Sequence, residues 1–133
     1  MFDIEKCTSF QGKTGPYILY SAVRIKSIIR KAKEYDIKQG DIIISNNYEE
    51  EIAFKIIQFS MVIANAYKNK TPHVLCEYVY SLAQIFSSFY QNCSILKEQD
   101  NSIASSRLSL SIITLRYFEK ILYMLGIKIP DKM

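Results

Sequence analysis

Gly12-Lys-Thr-Gly-Pro-Tyr-Ile-Leu-Tyr-Ser-Ala-Val-Arg-Ile-Lys-Ser-Ile-Ile-Arg-Lys-Ala32 is the stretch that decides the fold class. Thr14-Gly15-Pro16 reads as a helix start, because proline is tolerated at the first helical position, where its missing N–H is not needed. Behind it Ile18, Ala22, Ile25, Ile29 and Ala32 recur at spacings of four, three, four and three, an apolar stripe on one helix face. The spacing predicts a helix from about Pro16 to Tyr35. Tyr17, Tyr20 and Arg24, continued by Ser27 and Lys31, keep the same spacing one step earlier and run along the edge of that stripe. Lys26, Arg30 and Lys33 fill a third, solvated face.

Working outward, residues 1–15 hold polar residues, two glycines and no sustained period, which predicts an extended arm leading into the first helix, pinned by Phe2, Ile4 and Phe10. Residues 36–47 predict a connection with a buried turn or short strand at Ile42-Ile43-Ile44. Asn47 and Glu50 have the N-cap and N3 types of a capping box, with Glu49, Glu50 and Glu51 as solvated charge at a helix start. A second helix follows from about Tyr48 to Tyr67, with the seam Ile52, Ile56, Phe59, Ile63 and Ala66. Thr71 as N-cap and Pro72 at N1 start a third helix, whose seam Leu75, Tyr78, Leu82, Phe86, Phe89 and Cys93 ends near Cys93. A polar linker over 97–102 precedes a last helix that is apolar on most faces and so belongs in the middle of a bundle. Gly126 is placed as its C′ residue and Pro130 forbids continuation. Four long helices in sequence make an all-α bundle.

Bulk properties agree. The 133 residues suit one domain, residues 1–133, and 49% hydrophobic with 23% charged residues is a globular composition. No stretch approaches the ~20 apolar residues of a membrane span, and the N-terminus lacks the character of a signal or transit peptide, so a cytoplasmic location is expected. Cys7, Cys76 and Cys93 have no Cys-x-x-Cys spacing and a single histidine accompanies them, so reduced, buried thiols and no metal site are expected. The net charge of +4 fits a nucleic-acid partner without demanding one.

Catalytic groups do not assemble. His73 is the one side chain that titrates near neutrality unperturbed, and it follows Pro72 in a helix's first turn, where a capping or exposed role is expected. Gly12-Lys-Thr-Gly15 lacks the further glycine and the strand of a phosphate loop. No catalytic residue is expected. What remains is ten tyrosines and seven phenylalanines mixed with basic residues. Spacing alone leaves the Tyr17/Tyr20/Arg24 edge open between a stacking platform for unpaired bases and an ordinary core rim.

The quoted stretch closely resembles the start of the C-terminal domain of arginyl-tRNA synthetases, whose pattern Gly-x-Thr-Gly-Pro-Tyr-x-x-Tyr-x-x-x-Arg-Ile matches at every defining position. Pro72-His73, Tyr78-Val-Tyr80-Ser-Leu-Ala83, Phe89-Tyr90, Arg107-Leu-Ser-Leu110, Leu125-Gly-Ile127 and Pro130-Asp-Lys-Met133 follow in order, so the whole chain is covered. The resemblance implies the helical anticodon-binding domain shared by class Ia aminoacyl-tRNA synthetases, docked after a Rossmann catalytic domain. The catalytic signatures His-x-Gly-His and Lys-Met-Ser-Lys find no place here, so ATP and Mg belong to the parent enzyme, no cofactor belongs to this domain, and the chain is expected to be an excised piece. The implied partners are arginine tRNA isoacceptors and the parent's catalytic domain, with a monomeric state. By position, Tyr17, Tyr20, Arg24, Tyr90 and Met133 surround the anticodon loop; Lys31, with Lys26, Arg30 and Lys33, adds phosphate attraction. Ser21-Ala22-Val23 departs from the family's frequent Ala-His or Ala-His-Ala. A helical module that packs on a protein partner without RNA specificity is the alternative.

Overall fold

The computed structural model describes residues 4–69 and 72–124, with side chains for 17–66, 68–69 and 74–124. Among the described residues five helices follow one another: α1 Ile4–Glu34, α2 Asn47–Ile57, α3 Phe59–Asn69, α4 Pro72–Asn92 and α5 Asn101–Met124. No strand occurs among the described residues. Helix α4 packs against all four others, and α5 against α1, α2 and α4. Helix α5 also meets α3 through Phe59 and Tyr117 and buries residues along most of its length, so α4 and the last helix share the centre of the bundle.

The periodic stripes form the core. Ile18, Ala22, Ile25 and Ala32 of α1 and the whole α4 seam, Leu75 through Cys93, are buried. On α1 the stripe turns slightly, so Ile28 is buried and Ile29 half-buried. The expected second helix is interrupted at Gln58, although helical bonds continue across it, from the Gln58 N–H to the Phe54 carbonyl (3.2 Å) and from the Val62 N–H to that of Gln58 (3.1 Å). No proline or glycine marks the interruption. Beyond it, Phe59 stacks on Tyr117 at 3.9 Å between ring centroids. Tyr78 donates its hydroxyl to the Lys55 carbonyl (2.5 Å), with the Lys55 ammonium 4.9 Å from the ring centroid. Burial first, and Tyr117 beside it second, push the Tyr78 phenol well above its ordinary range; burial also lowers Lys55.

The starts of α1 and α2 differ from expectation. Helix α1 begins at Ile4, so residues 4–15 are helical rather than an arm. The run Ile4 to Gln11 contains no helix breaker, and Pro16 forfeits only one backbone bond within a long helix. The α1 C-terminus closes as a Schellman motif, the Ile37 N–H bonding the Ala32 carbonyl (2.8 Å) and the Asp36 N–H that of Lys33 (3.1 Å). Asp36 occupies the left-handed C′ position with φ 58°, which aspartate tolerates better than most side chains. The N-cap of α2 is Asn46, not Asn47: its side chain accepts from the Glu49 N–H at 2.9 Å. The cap of α5 is Asp100, whose Oδ1 accepts from the Ser102 N–H (2.9 Å). Thr71 and Gly126, expected at other helix ends, lie outside the described residues.

The connection over 37–45 carries neither strand nor buried turn, and Ile42, Ile43 and Ile44 are exposed. Its backbone is instead held by serines of α5. The Gly40 N–H donates to Ser109 Oγ (3.0 Å), which donates back to the Gly40 carbonyl (2.7 Å). Ser106 makes the same two-way bond with Ile43, at 2.7 and 3.0 Å. Two hydroxyls thus pair an irregular segment in place of a strand, which explains how α5 buries Ser106, Ser109, Ser111 and Thr114 without orphaned polar groups. Ser111 and Thr114 bond the carbonyls of Arg107 and Leu110 one turn back. A Cβ on Gly40 would meet Ser105 Cβ at 2.7 Å. Gly40→Ala is therefore expected to destabilise by about 1–3 kcal/mol in denaturant unfolding, as an overpacked contact; a stability equal to the parent's would show that the segment yields freely.

Among the three cysteines, Cys93 is free and buried. Cys76 is disulfide-bonded, against the expectation of reduced thiols. Periodicity puts a cysteine on a buried face without saying whether a second sulfur faces it. No described helix is long and apolar enough to cross a membrane.

Candidate nucleic-acid interface

The edge stripe of α1 faces the C-terminal end of α4. Between them, and continuing under the loop that follows α4, lies a groove of about 470 Å³ lined by Arg24, Ser27, Lys31, Tyr90, Asn92 and Lys97 among others. Among the described residues three cations and no carboxylate line it. At its mouth the Arg24 guanidinium carbon sits 4.9 Å from the Tyr20 ring centroid and 4.9 Å from that of Tyr90. Tyr20 is 53% exposed and Tyr90 41%, so both rings present surface to solvent. Tyr90 rests on Phe86, one turn earlier on α4, with centroids 6.4 Å apart.

Tyr17 stands at the other end of the stripe, 37% exposed. Its hydroxyl donates to the Ala83 carbonyl (3.4 Å) and its ring meets Tyr80 edge-on at 5.9 Å, so it ties α1 to α4 as well as offering a face. The structure thus brings together Tyr20, Arg24, Lys31 and Tyr90, with Tyr17 apart on the same helix. Met133 lies outside the described residues.

Sequence reasoning missed the far wall of the groove. Asn92 and Lys97 come from the end of α4 and the polar loop after it, where spacing gives no facing direction. That loop is held by a side chain read at sequence level only as part of a matching motif: Arg107 of α5. Its Nη1 donates to the Ser94 carbonyl (2.7 Å) and to Glu98 (2.9 Å), while its Nε donates to Glu49 (3.1 Å). Glu49, expected as solvated capping charge, is fully buried, and its carboxylate also accepts the Ser45 N–H and hydroxyl, each at 2.8 Å. A carboxylate in α2's first turn is favoured by the helix dipole, but here one of the three neighbouring glutamates is turned inward to meet Arg107. Asn46 completes this junction, its amide 3.4 Å from the Cys93 sulfur.

Exposed tyrosine faces beside guanidinium and ammonium groups suit unpaired bases and their phosphates. No group of three or more His, Cys, Asp or Glu among the described residues could hold a metal ion. Residues 18–133 match the family model described as the DALR anticodon binding domain.

The chain belongs to that family.

Its relatives show what DALR domains are part of. The chain is 40% identical over 133 residues to an arginine–tRNA ligase of Maricaulis maris, covering 100% of this chain and 23% of that protein. It is 42% identical over 139 residues to the arginine–tRNA ligase of Francisella tularensis subsp. novicida, covering 99% and 24%. Among solved structures it is similar to Thermus thermophilus arginyl-tRNA synthetase, with TM-score 0.78 and 29% identity over 93% of this chain and 22% of that one. The Plasmodium falciparum arginyl-tRNA synthetase gives TM-score 0.73 and 31% identity over 90% and 21%. This DALR domain therefore spans about a quarter of the length of the relatives it matches, and its described helices share their fold with the matched part of the two solved synthetases.

Proposed function

We propose that this DALR domain grips the anticodon loop of arginine tRNA as part of an arginyl-tRNA synthetase in the cytoplasm, as one monomeric domain over residues 1–133. The observation that carries the reading is the Tyr20–Arg24–Tyr90 cluster at the mouth of a groove lined, among the described residues, by cations and no carboxylate. Tyr20 and Tyr90 stack splayed bases, Tyr17 extends the platform along α1, Lys31 draws the phosphate backbone, and Met133 supplies a soft apolar cap. The chain performs no chemistry; ATP-dependent aminoacylation, with its Mg, belongs to a catalytic domain elsewhere in the synthetase.

Calorimetric titration of the domain with arginine tRNA, and with the same tRNA carrying an altered anticodon, tests this. Binding that weakens with salt and with the altered anticodon supports it; equal affinity for both tRNAs sinks the specificity. Tyr20→Ala and Tyr90→Ala are each expected to weaken binding by about 1–3 kcal/mol, the worth of one base stacked on an aromatic ring. An unchanged affinity in both folded variants would return the rings to the core rim.

A second reading, packing on a protein partner, is favoured by Phe54, Ile57 and Met61, which are exposed on α2 and α3 at helical spacing. A salt-insensitive complex with protein and no salt-dependent tRNA binding would support it.

A further inference from the structure

We infer that Arg24 is a positioning residue, a planar spacer that joins Tyr20 and Tyr90 into one platform, and that it acts on RNA through those rings rather than through a phosphate. This rests on the anticodon reading above. Tyr20 and Arg24 are four residues apart on α1, so their side chains meet on one face, whereas Tyr90 arrives from the last turn of α4. The guanidinium carbon is 4.9 Å from each ring centroid, which places one flat cation between two rings from different helices. A guanidinium is planar and weakly hydrated, so it fills such a slot as an ammonium cannot. Tyr90 is backed on its own helix by Phe86 at 6.4 Å. Reaching out to a phosphate would withdraw the spacer and leave each ring without its cation. The three contacts therefore act together: Arg24 sets the tilt of both tyrosines, and the charge needed for the backbone comes from Lys31 and Lys97, which line the groove behind it.

The test uses the 133-residue chain, Arg24→Lys and Arg24→Met, with two probes: an anticodon stem-loop of arginine tRNA and the same stem-loop made abasic in its loop. Both variants are expected to bind the intact loop about tenfold more weakly, because lysine keeps the charge but not the plane. Neither should change affinity for the abasic loop, and the slope of log affinity against log salt should stay that of the parent. A Tyr20→Ala/Tyr90→Ala cycle should show coupling in the parent and additivity in the Arg24→Met background. The inference is overturned if Arg24→Lys binds like the parent while Arg24→Met flattens the salt slope by about 0.7, the signature of one lost phosphate contact on a single strand. Equal loss on both loops, or no loss on either, also overturns it. Ring resonances of Tyr20 and Tyr90, recorded without RNA, separate this from the anticodon reading itself. They should move in both variants even if the parent fails to distinguish the two loops; unmoved rings defeat the spacer whatever the RNA does.

Discussion

Arg107→Met is expected to lower the unfolding free energy by about 3–5 kcal/mol, because it removes one partner of a buried pair and leaves the other charged in the core. Glu49 has no exposed surface, and its remaining ligands after the change, the Ser45 N–H and hydroxyl, carry no positive charge. Arg107 also closes the Ser94 carbonyl and reaches Glu98, so its loss frees the loop that forms the groove's far wall. Combining it with Glu49→Leu should recover most of the stability, since an apolar pair of similar volume avoids the desolvation that the ion pair only offsets. Glu98→Gln should cost under about 1 kcal/mol, because its carboxylate is in partial contact with solvent. Chemical denaturation of the four proteins checks the set. An Arg107→Met protein within about 1 kcal/mol of the parent would mean that water or a rearranged loop neutralises Glu49, and the junction would lose its claim to hold α2, α5 and the loop together.

That junction marks the boundary of what the sequence makes legible. A stripe such as Leu75, Tyr78, Leu82, Phe86 and Phe89 announces its burial, because helical periodicity is local and every member repeats the same message. Glu49 and Arg107 are 58 residues apart, and nothing in either neighbourhood distinguishes an inward glutamate from Glu50 and Glu51 beside it. The cap shifted by one residue for a related reason: Asn46 and Asn47 have equal intrinsic claim, and the tie is broken by the amide's contact with Cys93, just past the end of α4. Ser106 and Ser109 sit in a helix that is apolar on most faces, and only the arrival of Gly40 and Ile43 gives their hydroxyls partners. At the candidate interface the pattern is similar. Tyr20 and Arg24 share a face by spacing alone, whereas the meeting with Tyr90 depends on how α1 crosses α4. Motif resemblance selected Tyr90 where periodicity offered no direction, and the groove wall at Asn92 and Lys97 had neither kind of signal.

Phe86→Ala and Phe118→Ala form the second large prediction, chosen because they should cost the same stability yet differ in function. Both rings are fully buried, and truncating such a phenylalanine removes about 3–5 kcal/mol through lost burial and the cavity left behind. Phe118 lies on α5, whereas Phe86 packs against Phe89 at 5.7 Å and carries Tyr90 on its face. A cavity at Phe86 therefore opens directly beneath the platform, and Tyr90 is free to tilt into it and away from Arg24. Measured below the transition, where each variant is folded, Phe86→Ala should bind the anticodon stem-loop several-fold more weakly than Phe118→Ala. If either alanine variant fails to fold, Phe86→Leu and Phe118→Leu, which keep most of the volume, carry the same contrast at lower cost. Equal affinities in the matched pair would show that Tyr90 holds its orientation without support from below, and that its position is set by Arg24 from above.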